Sequence, residues 1–289
     1  MKRPPLRPSA ALAAAALLVA ACQPAPQALG ALSDPREIVV AGVSSFAKTQ
    51  TVHAHADVVI EMTLQDIGPG QAMTANATLD ADVDLVRRNI AARTTIAMGA
   101  GFDRNQVSEM ILVGGQQFSR TPPDTRWTRF PMFDNQVMFP TNQEIADTVN
   151  GSLDGAGVVL RLADPAPCGE ATCYHVVAEL DPNAAWQMLG PILGAGGALP
   201  PGMNLDPITV DILVDQGTRT LMGLDAAVTV AGSKTTIRLT LSNHDIPIAI
   251  SAPPANLVDE IDGGFGGGGM DGGGGVVTMT LAPVPAESP

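Results

Sequence analysis

The stretch Met73-Thr-Ala-Asn-Ala-Thr-Leu-Asp-Ala-Asp-Val-Asp-Leu85 alternates apolar and polar residues without a break. Successive side chains of a β-strand point to opposite faces of the sheet, whereas an apolar helix face repeats about every 3.6 residues. A period of two over this length therefore predicts a long strand with one dry face and one wet face.

A second alternating segment, Val52–Leu64, precedes this strand and is separated from it by the turn signal Gly68-Pro69-Gly70. The two segments predict a long antiparallel hairpin. Its predicted dry face holds five alanines among fourteen positions. Either these small side chains leave a cavity that a few short helices do not fill, or they allow helices to pack closely on the sheet. The residues alone leave both interpretations open.

The candidate lining of such a cavity comes from the dry face of both strands. It consists of Ala54, Ala56, Val58, Ile60, Ala75, Ala77 and Leu79.

The rest of the chain predicts one α+β domain over residues 34–254, followed by a Gly-rich, low-complexity tail over 255–289. Helices are predicted to begin at Asp34-Pro35, at Thr141 and at Asp181-Pro182, because each start carries capping residues. Further strands are predicted near 89–98, 107–113, 116–120, 126–130, 157–162, 173–180, 208–214, 219–230 and 234–242. The sequence thus predicts about ten strands and a few short helices.

The N-terminus is typical of a bacterial lipoprotein signal peptide over residues 1–21. Lys2, Arg3 and Arg7 precede the apolar run Ala10–Val19, which is too short to span a bilayer. Leu18-Val19-Ala20-Ala21-Cys22 matches a lipobox, so Cys22 is the predicted lipidation site. Residues 22–33 then form a flexible tether. The predicted location is extracytoplasmic, with the protein held at a membrane by acyl groups on Cys22.

The net charge limits the classes of partner, and the two later cysteines predict a disulfide. The net charge is −13, and removal of the signal peptide makes it −16, which argues against nucleic acid and anionic lipid headgroups as partners. Cys168 and Cys173 are close in sequence and are predicted to form a disulfide outside the cytoplasm.

No motif supports catalysis or a metal site. His53 and His55 have no third ligand placed by the sequence, and Asp80, Asp82 and Asp84 lack the glycine and glutamate of a calcium loop. These side chains are interpreted as the solvated face of the hairpin. The protein is therefore predicted not to be an enzyme and to need no cofactor or metal.

Three stretches carry a resemblance to a known family. They are Ile208-Thr-Val-Asp-Ile-Leu-Val-Asp215, the exit segment Ser242–Pro254 with Pro247 and Pro253, and Trp127 within Arg126–Phe130. Over residues 34–254 the chain resembles the LppX/LprAFG family of envelope lipoproteins, which is related in fold to the LolA and LolB carriers. Leu213 departs from the aromatic residue of that pattern.

The resemblance implies a curved antiparallel half-barrel sheet wrapped over a few short helices, with an apolar cavity that binds acyl chains. It implies an acylated lipid or glycolipid as ligand, and envelope transport machinery as a partner. The leading hypothesis is a membrane-anchored carrier or presenter of acylated lipid. The alternative is a non-enzymatic interaction or sensor module that uses the same fold to bind a protein.

Overall fold

The computed structural model describes residues 30–63, 72–99, 104–130, 141–153, 155, 157–189, 205–230 and 233–260. The predicted signal peptide, Cys22 and the glycine run 263–275 lie outside these residues. The described helices are α1 (Pro35–Phe46), α2 (Asn142–Ser152) and α3 (Pro182–Leu189). The described strands are β1 (Thr51–Thr63), β2 (Ala72–Asp84), β3 (Asn89–Met98), β4 (Arg104–Val113), β5 (Gln116–Arg120), β6 (Trp127–Phe130), β7 (Val158–Cys168), β8 (Ala171–Leu180), β9 (Ile208–Asp215), β10 (Leu221–Val230), β11 (Ser233–Ser242) and β12 (Val258–Glu260).

These strands form one open sheet in the order β12-β6-β5-β4-β3-β2-β1-β11-β10-β9-β8-β7. All neighbouring pairs are antiparallel except β12 and β6, which run parallel. The predicted fold class, a curved antiparallel half-barrel with a few short helices, is confirmed.

The long hairpin predicted from the alternating segments is present. β1 and β2 pair without interruption from Thr51 opposite Asp84 to Thr63 opposite Ala72. Directly opposed residues share a face, so the alanine-rich positions of the two strands come together. We call the side that carries Ala56 the apolar face and the side that carries His55 the polar face.

Capping explains where the first two helices begin. The Asp34 carboxylate accepts a hydrogen bond from the Arg36 N–H at 2.9 Å, and Pro35 occupies the first helical position. Thr141 and Glu144 form a reciprocal capping box at the start of α2. All three predicted helices are confirmed.

The main core lies where α1 and α2 meet the apolar face of β8, β9 and β10 and the beginning of β1. Its most buried side chains are Ile38, Val39, Val176 and Val214. A smaller core lies under α3, around Leu180, Ala185 and Ile208. The helices therefore pack mainly over the half of the sheet that ends at β7.

One predicted strand boundary was wrong. The strand predicted over 157–162 continues to Cys168, through Pro165 and Pro167. Among the described strands, β7 lies at the edge of the sheet and pairs only with β8. Its proline residues, which have no N–H, therefore cost no hydrogen bond on the side that faces away from β8. Beyond residue 254, the predicted end of the domain, Val258–Glu260 pairs with β6 and Arg126 binds Asp259.

Candidate functional site

The apolar face extends well beyond the side chains that form the main core. Val52 and Ala81 are buried, but toward the other end of the hairpin the apolar side chains are only half-buried. We call this part the open region, and Ile237 within it is 37% exposed. The open region consists of Val58, Ile60, Ala75, Ala77, Leu79, Ile96, Met98 and Ile237.

Strand register brings the open region together. Val58 lies between Ala77 of β2 and Ile237 of β11, and Ala77 is also opposite Ile96 of β3. Two residues further along each strand, Ala75 lies between Ile60 of β1 and Met98 of β3. Adjacent strands are about 4.8 Å apart, so the four strands β11, β1, β2 and β3 carry a continuous apolar surface roughly 15 Å wide.

The seven predicted lining residues divide into two groups. Ala54 packs against the main core and Ala56 is 8% exposed, so these two lie at the filled end of the face. The other five, Val58, Ile60, Ala75, Ala77 and Leu79, belong to the open region. That they line a ligand cavity stays a prediction.

Sequence reasoning missed the part of the open region that lies outside the hairpin. Ile237 alternates with Lys234, Thr236 and Arg238 in a clear period-two pattern, and this signal could have placed it on the apolar face. Ile96 and Met98 could not be placed in this way. Alanine and threonine occur on both faces of β3, so only the register with β2 shows where these two point.

The side chains that form the open region are uncharged, and Arg104 of β4 is paired with Met98 at its edge. On β1, β2, β3, β10 and β11, every described charged side chain lies on the polar face, where Asp57 opposes Arg238 and Glu61 opposes Lys234. Burial of an unpaired charge is costly, whereas a neutral apolar surface can be covered by apolar groups at no such penalty. The site is therefore suited to hydrocarbon and offers no acid–base chemistry.

The polar face carries a ladder of opposite charges along one row of paired residues. His55 Nδ1 lies 2.6 Å from the Asp80 carboxylate, and Arg93 Nη1 lies 3.8 Å from Glu109. Glu109 also binds Arg120 at 2.5 Å, and the Arg120 guanidinium lies over the Trp127 ring, 4.5 Å from its centroid. The ladder thus consists of one pair across β1 and β2 and a second group across β3, β4 and β5, with Asp80 and Arg93 opposed in register between them.

A shallow groove of about 360 Å³ lies beside this ladder. Ala91 and Ile111 contribute to its lining, with the His53–Asp82 pair and Trp127. None of the seven predicted lining residues borders it, so this groove and the open region are separate features.

The histidines of β1 are paired with carboxylates. His53 Nδ1 lies 2.8 Å from Asp82, and His55 contacts both Asp80 and Asp57. The hydrogen bond with Asp80 is the main cause of a raised His55 pKa, and burial opposes it in part. Within the part of the chain that the structure describes, no group of three or more His, Cys, Asp or Glu side chains is arranged to hold a metal ion.

The remaining predicted sites lie at the ends of the domain. Cys168 and Cys173 form the predicted disulfide, which closes the β7–β8 turn around Gly169. Cys22 lies outside the described residues, so its lipidation stays a prediction. Among the described residues, no helix combines the length and the apolar character needed to cross a bilayer.

Comparison with solved structures gives distant likenesses. The chain is similar to the lipoprotein LppX of Mycobacterium tuberculosis, with 15% identity over 76% of this chain and 100% of that chain, and a TM-score of 0.43. It is also similar to LprF of Mycobacterium bovis, with 14% identity over 78% of this chain and 99% of that chain, and a TM-score of 0.49.

The chain resembles LppX and LprF in its fold. These are members of the family to which the sequence resemblance pointed. No protein-family model and no curated protein sequence matches the chain. A likeness at these identities extends to the fold alone, so the function must be argued from the residues of this chain.

Proposed function

We propose that this protein is a membrane-anchored envelope lipoprotein that binds the acyl chains of a lipid on the open region and carries or presents that lipid. The observation that supports the proposal is the neutral apolar surface around Val58, Ala77 and Ile237, which is half-exposed in the folded domain. Contiguous apolar surfaces of this kind are typical of binding sites, because soluble domains otherwise bury them.

The energetics suit reversible transfer. Removal of one CH₂ group from water contributes about 0.8 kcal/mol, so a lipid with two long chains does not cross water at a useful rate unaided. The hydrocarbon core of a bilayer is equally apolar. Movement of the chains between a membrane and the open region is therefore close to balanced in free energy, and the protein removes mainly the cost of exposure to water.

The absence of chemistry in the open region fits a binding role. Neutral aliphatic side chains cannot act as nucleophile, acid or base. The acylated ligand is expected to place its chains there and its headgroup toward the rim, where Gln106 is exposed opposite Ile96.

The test uses the mature chain with Cys22→Ser, so that covalent acyl groups on Cys22 do not contribute. We expect organic extraction of the purified protein, followed by mass spectrometry, to release non-covalent acylated lipid. We also expect saturable binding of the fluorescent fatty acid cis-parinaric acid to the delipidated protein. A protein that yields no lipid and does not bind the probe contradicts the proposal, and recovery of a cross-linked protein partner would then favour an interaction module.

A further inference from the structure

The last residues of the predicted tether, which was placed over residues 22–33, are fixed to one end of the sheet, so the flexible segment ends earlier than predicted. The Gly30 carbonyl accepts a hydrogen bond from Arg219 Nη2, and the Leu32 N–H donates to the Tyr174 hydroxyl at 3.0 Å. The Arg219 guanidinium lies over the Tyr174 ring, 4.8 Å from its centroid, and the residue is only 8% exposed. The tether therefore leaves the domain at the β9–β10 turn, where Arg219 lies.

This turn lies at the same end of the sheet as the β2–β3 turn. His244 Nε2 lies 3.1 Å from the carbonyl oxygen of Leu221, at the start of β10. The next residue, Asp245, donates its N–H to the Thr51 carbonyl, and Thr51 is paired with Asp84. We call the end of the sheet that holds the β9–β10 turn and the β2–β3 turn the anchor end. The open region lies toward the opposite end of β1 and β2.

The anchor end carries an unusual tip. Val86 is 70% exposed in the β2–β3 turn, and Arg87 and Arg88 follow it, both exposed. Ile246, also at this end, is 53% exposed, and Lys48 lies just before β1. Exposed aliphatic side chains beside cations form the combination that enters a membrane interface, with the apolar groups below and the cations among the headgroups.

We infer that the anchor end is a membrane-docking surface, and that its partner is the interfacial headgroup layer of the membrane that holds the acyl groups of Cys22. The inference needs the proposed anchor but not the proposed lipid-binding site.

Acidic groups at this end offset the cations of the tip. Asp84 is buried and paired with Arg87 Nη1 at 3.2 Å. Glu144 is close enough to Arg88 to have its pKa lowered slightly by it, although the Thr141 hydrogen bonds are the main cause. Asp245 is exposed, whereas Asp34 and Glu37 lie at the start of α1. The cations Lys48, Arg87 and Arg88 are thus offset by these carboxylates, so contact with the membrane depends on the exposed Val86 and Ile246.

The length of the tether supports the same orientation. Eight residue steps separate Cys22 from Gly30, and at about 3.4 Å per residue they span at most roughly 27 Å. The 13-residue strand β1 is roughly 40 Å long at about 3.3 Å per residue. A domain that stood on its other end would hold Gly30 beyond the reach of an inserted Cys22. Docking by the anchor end leaves the open region facing away from the anchoring membrane.

The test uses the full lipidated protein in vesicles of phosphatidylcholine and phosphatidylglycerol with bromine-substituted acyl chains, which quench nearby fluorophores. One variant carries a fluorophore at Gln116→Cys, an exposed residue of the neighbouring turn at the anchor end, where the Gly114 N–H binds Asn89. The other carries it at Glu61→Cys, at the far end of β1. We expect strong quenching at position 116 and none above background at position 61.

Two further variants separate docking from anchoring. Val86→Asp with Arg88→Glu should abolish quenching at position 116, whereas the matched charge reversal Lys234→Glu at the far end should leave it unchanged. All variants should still float with the vesicles through the anchor. Loss of flotation in the parent protein refutes the anchor itself. Two results contradict the docking surface in a protein that floats. One is equal quenching at positions 116 and 61, and the other is quenching at position 116 that survives the double substitution.

Discussion

His55 and Asp80 face each other across the β1–β2 hairpin, with Nδ1 2.6 Å from the carboxylate oxygen. The contact joins the first two strands of the charge ladder on the polar face. Asp57, two residues along β1, adds a second carboxylate at 3.4 Å from His55 Nε2. Both carboxylates favour the protonated ring, so the raised His55 pKa makes the contribution of this residue to stability depend on pH.

The direction of the His55 pKa shift determines at which pH this residue stabilises the fold. A histidine whose folded pKa lies above its unfolded value stabilises the fold fully below the unfolded pKa, near 6.5. The contribution is lost as the pH rises through the folded pKa. Because the His55 side chain is 41% exposed, the effect is small, below about 1 kcal/mol. We predict that His55→Gln lowers the free energy of unfolding at pH 5.5 and has no effect of this kind at pH 9.

Paired urea denaturation curves of the parent and His55→Gln at both pH values check this prediction. The other histidines are the same in both proteins, so their contributions cancel in the difference. A difference that is the same at both pH values, or larger at pH 9, would show that the His55–Asp80 contact contributes as a neutral hydrogen bond.

The disulfide between Cys168 and Cys173 closes a short loop at the edge of the sheet. Loop-closure entropy for a separation of 5 residues predicts a stabilisation of about 2 kcal/mol. Cys173 is fully buried, so alanine is a better replacement than serine because it adds no buried hydroxyl. We expect Cys168→Ala with Cys173→Ala to lower the free energy of unfolding by roughly that amount.

Chemical reduction of the parent protein is the matched control for this substitution. It removes the cross-link without changing the packing of Cys173. The double variant should unfold at or somewhat below the denaturation midpoint of the reduced parent, because it also loses the buried sulfur of Cys173. Equal stability of the oxidised and reduced parent would mean that the β7–β8 ladder already holds the turn without the cross-link.

The sequence could predict those features that depend on local patterns. The alternation in β1 and β2 and the capping residues Asp34 and Thr141 act over a few residues, and the structure confirms the strands and helices that they predicted. The parallel strand β12 could not be predicted in this way. Its three residues carry no period, and it forms because Arg126 and Trp127 of the β6 region lie beside it.

The candidate site shows the same division. The alternating pattern predicts that Val58 and Ala77 lie on one face. It does not predict how much of that face the helices cover. Ala54 and Ala77 are equivalent in sequence, yet α1 and its neighbours pack against Ala54 and leave Ala77 half-exposed. Which alanine is covered depends on where a helix crosses the sheet, and this is a tertiary property. The charge ladder likewise depends on the register of several strands at once.

Glycines in two helices test how closely α1 approaches the sheet. A Cβ added to Gly42 would lie 2.7 Å from Val214 Cγ2, whereas a Cβ at Gly151 of α2 would meet no atom within 4 Å. Glycine in a helix is less favourable than alanine by about 0.8–1 kcal/mol. We therefore expect Gly151→Ala to be stabilising by up to that amount.

Gly42→Ala should behave in the opposite way, because its methyl group must displace a fully buried valine of the main core. Overpacking of this kind costs about 1–3 kcal/mol, which outweighs the gain in helix propensity. Thermal denaturation of the two variants should give melting temperatures on opposite sides of the parent. A rise for Gly42→Ala would show that the contact between α1 and β9 is loose.

Tryptophan substitutions along β2 test the open region against a filled core. Ala77 and Ala81 occupy the same face of the same strand, but Ala77 is half-exposed and Ala81 is 5% exposed. Tryptophan at Ala81 must displace packed neighbours, so we expect a loss of about 1–3 kcal/mol or more in the free energy of unfolding. Tryptophan at Ala77 should fit without that loss, because the neighbouring space is unfilled.

The same variants connect packing to binding. Ala77→Trp should keep the parent stability but reduce binding of cis-parinaric acid, because the indole takes the place of an acyl chain. Asn76→Trp is the matched control, since Asn76 is exposed on the polar face one residue away. It should bind the probe as the parent does. If Ala77→Trp destabilises the domain as strongly as Ala81→Trp, the open region is a packed core and cannot accept a lipid chain.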